Sequence, residues 1–191
     1  MNFFQRLKSF FRWKKQSQLK QIPFPTVDRQ ELLVRAILNP LFCDSKGNLK
    51  KEAFLPPPNG KDVSLLRLLY TNEDFCKKHA KSILIANNTY KGLASFQASD
   101  VQGILAKISI GMNIEVVGTP IDVNNQYIKL PPVFMTDPGL PMHADLVYEY
   151  PVIKGQPQTS HRQFANALVK KAKFHNDTMP NSITWGNAKI I

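Results

Sequence analysis

The stretch Arg29–Tyr70, RQELLVRAILNPLFCDSKGNLKKEAFLPPPNGKDVSLLRLLY, decides how this chain is read. Two arginines sit inside apolar runs, Arg35 in LLVRAI and Arg67 in SLLRLLY, and Ser64 follows a proline-rich turn. A charge within an apolar run is costly to bury alone, so such a residue serves either an ion pair or an anionic ligand. Asp28 with Glu31 has the pattern of a helix start, yet LLVRAI reads equally as a buried strand. Asn39-Pro40 closes the element either way. Asp44–Asn48 is a turn, and Leu55–Gly60 a second, stiffer one.

Outward from this stretch, the chain has 191 residues, 43% of them hydrophobic and 20% charged, the balance of a globular domain with one sizeable core. No apolar run approaches the roughly 20 residues that cross a bilayer. Two cysteines, Cys43 and Cys76, make no disulfide framework, which points to the cytoplasm, with the inner face of the membrane as a peripheral location.

The net charge of +11 is unevenly spread. The first 20 residues carry Arg6, Lys8, Arg12, Lys14, Lys15 and Lys20 and no acid, whereas the rest hold 19 basic and 14 acidic groups. At about 100° per residue Phe3, Phe4, Leu7, Phe10 and Phe11 fall on one side of a helix, with Arg6, Lys8 and Arg12 off it and Trp13 at the border. Residues 1–17 therefore read as an amphipathic basic arm. It suits an anionic membrane interface, a larger protein partner or the protein's own core. Residues 18–27, with Pro23 and Pro25, read as a linker, residues 28–175 as the body and 176–191 as a polar tail ending in Ile190-Ile191.

Along the body, Asp62 or Ser64 caps a predicted helix through Tyr70, and Thr71 or Asn72 a second through Lys81. Ser82–Ala86 and Gly92–Ala98 read as strands, and Ser99 as the cap of a helix over Asp100–Ile108. Asn113–Val123 and Gln126–Phe134 read as a hairpin turned at Asn124-Asn125. Ala144–Tyr150 alternates as a strand, and Ser160 with Gln163 boxes the start of a helix over His161–Phe174. Helices scattered among short, mostly antiparallel strands predict an α+β single domain.

For chemistry, Cys76-x-x-His79 is one close pair where structural zinc sites show two, so no metal and no cofactor is expected. There is no phosphate-cradling glycine loop, nucleophile elbow or recognisable carboxylate pair. What remains is Arg35, Ser64, Arg67 and His143: a fork of donors for phosphate or carboxylate, a hydroxyl, and an imidazole that exchanges protons near pH 7. Each has a plain structural use as well. Arg35 could pair with Glu31 or Asp28, Arg67 with Glu73 or Asp74, Ser64 could cap a helix, and His143 could be an ordinary loop residue.

The segments VRAI, KKEAF, DVSLLR, GLASFQASDV and PMHADLVY, between Leu33 and Tyr148, resemble small uncharacterised bacterial proteins carried on mobile elements, a group that implies no activity. An arginine in an early apolar strand followed by a serine also resembles the ADP-ribosyltransferase-like fold. By that resemblance Arg35 would contact NAD, Ser64 would support it, and Glu149 would stand for the late glutamate, without a Glu-x-Glu pair.

The leading expectation is thus an accessory bacterial protein, without catalysis, whose arm engages an anionic membrane or a larger protein. The rival is a ligand-binding or NAD-using domain with an Arg/Ser/His anion pocket. Nucleic-acid binding through Lys50-Lys51, Lys77-Lys78 and Lys170-Lys171-Lys173 ranks below both.

Overall fold

In LLVRAILN, apolar residues occupy both alternating sets, the pattern of a strand covered on two faces. That is what forms: β1, Leu32–Asn39, lies inside a six-stranded antiparallel sheet. The computed structural model describes residues 26–84, 87–108, 111–122, 124, 126, 139–153 and 159–190, so the predicted arm, residues 1–17, lies outside the described residues. The other strands are β2 (Asp62–Arg67), β3 (Thr89–Gln97), β4 (Ile114–Gly118), β5 (His143–Tyr148) and β6 (Lys173–Asn176), in the order β4-β5-β2-β1-β3-β6. Three helices accompany them: α1 (Glu73–Ser82), α2 (Ala98–Leu105) and α3 (Thr159–Lys171). The α+β expectation holds in this form.

The sheet sorts its side chains by parity. One face carries Leu33 and Ile37 of β1, Val63 and Leu65 of β2, Ala94 and Phe96 of β3, and Leu146 and Tyr148 of β5. It is packed under α2, α3 and the 3-10 turn Lys51–Phe54, with Val101, Ile104, Phe164, Leu168 and Phe54 filling the layer. Tyr148 stacks on His161 at 5.0 Å and its hydroxyl donates to the Phe54 carbonyl at 2.5 Å. The other face carries Val34, Leu38, Leu66 and Tyr90 under Cys76 and Ala80 of α1.

The C-terminal segment is stitched to α1. Buried Lys77 sends its ammonium to the carbonyls of Met179 and Thr184, each at 2.6 Å, and to Asp177 Oδ2 at 2.7 Å. Glu73 Oε1 accepts from Ile190 N at 2.7 Å, Asp74 Oδ1 from Trp185 N at 2.6 Å, and Lys81 Nζ reaches three more carbonyls at 3.2 Å.

Several local expectations change. The helix expected from Asp62 is strand β2 followed by a 3-10 turn at Leu68–Tyr70, because pairing to β1 and β5 on both sides outweighs the helical spacing. Asn72 does cap α1, its side chain accepting from Phe75 N at 2.9 Å. The helix then runs through Ser82, where a strand was expected. Helix α2 begins at Ala98 rather than Asp100 and is closed by Gln97 and Asp100. Strand β4 pairs with β5, and most of the expected hairpin arm Gln126–Phe134 lies outside the described residues. Helix α3 stops at Lys171, and Lys173–Asn176 turns back as β6 against β3.

Candidate functional site

The β1–β2 ladder is short. Only Leu33↔Arg67 and Val34↔Leu66 are in register, although β1 continues to Asn39 beside β3 and β2 reaches back to Asp62 beside β5. Beyond Val34 the two strands part, and Arg35 spans the opening. Its Nε donates to the Ala53 carbonyl at 2.8 Å and its Nη1 to the Ser64 carbonyl at 2.6 Å, with the guanidinium 4.8 Å from the centre of the Phe42 ring. A fixed planar fork suits two carbonyls held apart on different elements. Burial pulls the Arg35 pKa down to about 10 against the opposing field of Asp145, so the group stays cationic at neutral pH.

A cavity of about 50 Å³ opens at this parting, lined by Arg35, Ser64 and His143 together with Cys76 and His79 of α1. Burial, and secondarily Glu73, pushes the Cys76 thiol up to about 12, so it is a protonated wall and not a nucleophile. Burial and then His143 lower the pKa of His79, which favours its neutral form. Asp62, two residues from Ser64 on β2, is shifted upward by burial and by Asp145.

His143 is held in one tautomer. Its Nδ1 lies 2.9 Å from the Thr119 carbonyl, which can only accept, so Nδ1 carries the hydrogen. The Thr119 hydroxyl, 2.8 Å from the same nitrogen, passes its own hydrogen to Asp145 Oδ2 at 2.7 Å. The neutral ring therefore keeps its lone pair on Nε2. Register places Ser64 opposite Asp145 and Leu66 opposite His143, so Ser64, His143 and Asp145 share one face of neighbouring strands. Arg35, between Leu33 and Ile37, sends its guanidinium toward the 3-10 turn on the other face, so the α1 side of the opening presents the Ser64 hydroxyl and the His143 ring.

Three of the four residues nominated from the sequence, Arg35, Ser64 and His143, thus line one cavity, and Arg67 does not. Arg67 is buried in a bidentate pair with Glu31, Nε to Oε2 at 2.7 Å and Nη2 to Oε1 at 2.5 Å, and lies over the Tyr70 ring. The expected partners were Glu31 or Asp28 for Arg35, and Glu73 or Asp74 for Arg67. Antiparallel register explains the exchange: with Leu33 opposite Arg67, a residue just before β1 arrives beside Arg67 and not beside Arg35. Ser64 is a strand residue, so it caps no helix.

Thr119 and Asp145 were missed, and His79 was weighed only as a zinc ligand beside Cys76. Asp145 was findable, since HADL alternates and puts positions 143 and 145 on one face; Thr119 had no signal, as only the β4–β5 pairing brings it there. Glu149 accepts from Asn113 N at 2.7 Å and does not line the cavity. Among the described residues no group of three His, Cys, Asp or Glu side chains gathers in a metal-holding cluster, Cys76 and His79 included. The arm residues Phe3, Phe4, Arg6, Leu7, Lys8, Phe10, Phe11, Arg12 and Trp13 lie outside the described residues. No family model, curated protein or solved structure matches the chain.

Proposed function

We propose that the body is a recognition domain that takes a small anionic group into the cavity between β1, β2 and α1. Arg35 supplies a fixed positive field from the far side of the strand opening, its Nε and Nη1 already donated to carbonyls, while Ser64 supplies a hydroxyl and His143 a ring nitrogen. The parting of β1 and β2 across Arg35 is the observation that carries this reading. At about 50 Å³ the cavity suits a carboxylate- or phosphate-sized tip, since whole-ligand pockets run to roughly 300–1,000 Å³. The test is a thermal-shift panel of NAD, ADP-ribose and mononucleotides on wild type, Arg35→Lys and His143→Gln. A ligand at about 100 times its Kd adds roughly 2.7 kcal/mol. A shift that both variants weaken supports the reading; no shift, or one both variants retain, removes it.

A second reading rests on the six uncompensated cations among residues 1–20: the arm brings the body to an anionic membrane or a larger partner. The described chain starts at a fixed point, where Thr26 bridges Val117 of β4 and its carbonyl accepts from Arg67 Nη2 at 3.3 Å. Each cation near an anionic surface contributes on the order of 1 kcal/mol. No helix among the described residues is long and apolar enough to cross a membrane. Sedimentation with phosphatidylserine vesicles compares the full chain with one lacking residues 1–20, and equal partition of the two ends this reading.

A further inference from the structure

A second concavity, about 440 Å³, lies where β1, β3 and β6 end under the Asp44–Asn48 loop. Its size is that of a whole small-molecule site. Two lysines reach it by different devices. In β3 the register to β1 passes from Ile37↔Gly92 to Leu38↔Tyr90, so Lys91 is the extra residue of a β-bulge. Bulges turn a side chain out of the ladder, and here Lys91 is turned into the cleft. Gly92 permits it, with φ +156° and a would-be Cβ 2.1 Å from the His175 carbonyl.

Lys46 rides on a loop that is tied down from within. Asp44 Oδ1 accepts from Lys46 N at 2.9 Å and Asn48 N at 2.8 Å, Oδ2 accepts from Asn48 Nδ2 at 2.9 Å, and Gly47 takes φ +84°. The Asp44 carboxylate lines the cleft, but its oxygens are filled by loop donors, which hold its pKa low. Among the described residues neither Lys46 nor Lys91 makes an ion pair. Asn39, Asn176 and half-buried Phe174 line the rest of the cleft together with Cys43 and Ser45.

We propose that this cleft binds a small phosphomonoester carrying a flat ring, of the nucleoside monophosphate kind. Lys46 and Lys91 hold the phosphate as two point charges, Phe174 takes a ring face, and the two asparagine amides meet the ring edge. The site is independent of the Arg35 cavity, with which it shares no lining residue.

The probe is AMP, titrated calorimetrically into the full chain at low salt, with adenosine and inorganic phosphate as separate arms. The expected result is one site, weakened at least tenfold by Lys91→Ala and by Lys46→Ala, with both half-ligands weaker than AMP. Both lysines are exposed, so the variants should melt as wild type does. Amide shifts on adding AMP should centre on Gly47 and Lys91. No binding at millimolar AMP, unchanged affinity in the double variant, or shifts centred on Ser64 would overturn the proposal. Inorganic phosphate binding as tightly as AMP would overturn its ring half.

Discussion

The structure moves Arg67 from an anion-ligand candidate to the partner of Glu31, and a double-mutant cycle decides between the two roles. Both side chains are nearly sealed, 2% and 6% exposed, and joined by two charge-assisted hydrogen bonds at 2.7 and 2.5 Å. Arg67→Met leaves a buried carboxylate without its cation, and Glu31→Leu leaves a buried guanidinium without its anion. Removing one member of such a pair costs roughly 3–5 kcal/mol, against a total domain stability on the order of 5–15 kcal/mol. For a chain of this size that is a melting-point drop of roughly 6–20 °C. The double variant buries no orphan charge and replaces the pair by apolar groups of similar length. It should therefore lose far less than the sum, with a coupling of at least about 2 kcal/mol. Some loss persists, because Arg67 Nη2 also holds the Thr26 carbonyl and Glu31 Oε1 the Asp28 amide. Urea unfolding with matched m-values measures all four corners. Additivity within about 0.5 kcal/mol, or an Arg67→Met variant as stable as wild type, would refute the structural assignment and return Arg67 to the ligand candidates.

Lys77→Met strips Asp177 of its ion-pair partner among the described residues and frees two tail carbonyls, costing roughly 3–5 kcal/mol. Hydrogen exchange should show residues 177–190 losing protection first, with partial recovery on adding Asp177→Asn; unchanged tail protection would count against the latch. Gly92→Ala should cost at least roughly 2 kcal/mol in urea melts, from a Cβ set on the His175 carbonyl at positive φ. Gly103→Ala, at an exposed position of α2 with open space around it, should instead gain up to about 1 kcal/mol, and the reverse order would contradict the packing. His79 and His175 have folded pKa values pushed below the ordinary 6.5, mainly by burial, helped by His143 and Lys173 respectively. The unfolded chain then binds more protons below 6.5, so their contribution is whole above that pH and lost as pH falls through the depressed folded values. The melting temperature should fall from pH 6.5 downward, less so in His175→Gln; a rise between pH 7 and 5.5 would reverse the argument.

Much of this protein is legible in local spacing. Alternation in HADLVY marks a strand, Asn72 before Glu73-Asp74 marks a helix start, and β3 and the helix after it fall within three residues of where pattern places them. Arg35, Ser64 and His143 stand out because charge, hydroxyl and imidazole are unusual within apolar or proline-stiffened segments. Elements held by pairing across long separations were less legible: β2 looks helical until β1 and β5 flank it, and β6 looks like the end of α3 until β3 accepts it.

The sequence by itself determined the class of the fold, the basic charge of the first 20 residues and three residues of the cavity, since composition and short periods are written into neighbouring positions. Only the tertiary structure decided partners. Glu31 meets Arg67 across 36 positions, Thr119 meets His143 across 24, and Lys77 meets Thr184 across 107. The physical reason is that a hydrogen bond or ion pair depends on distance in space, and register between strands sets that distance without leaving a local mark in the chain.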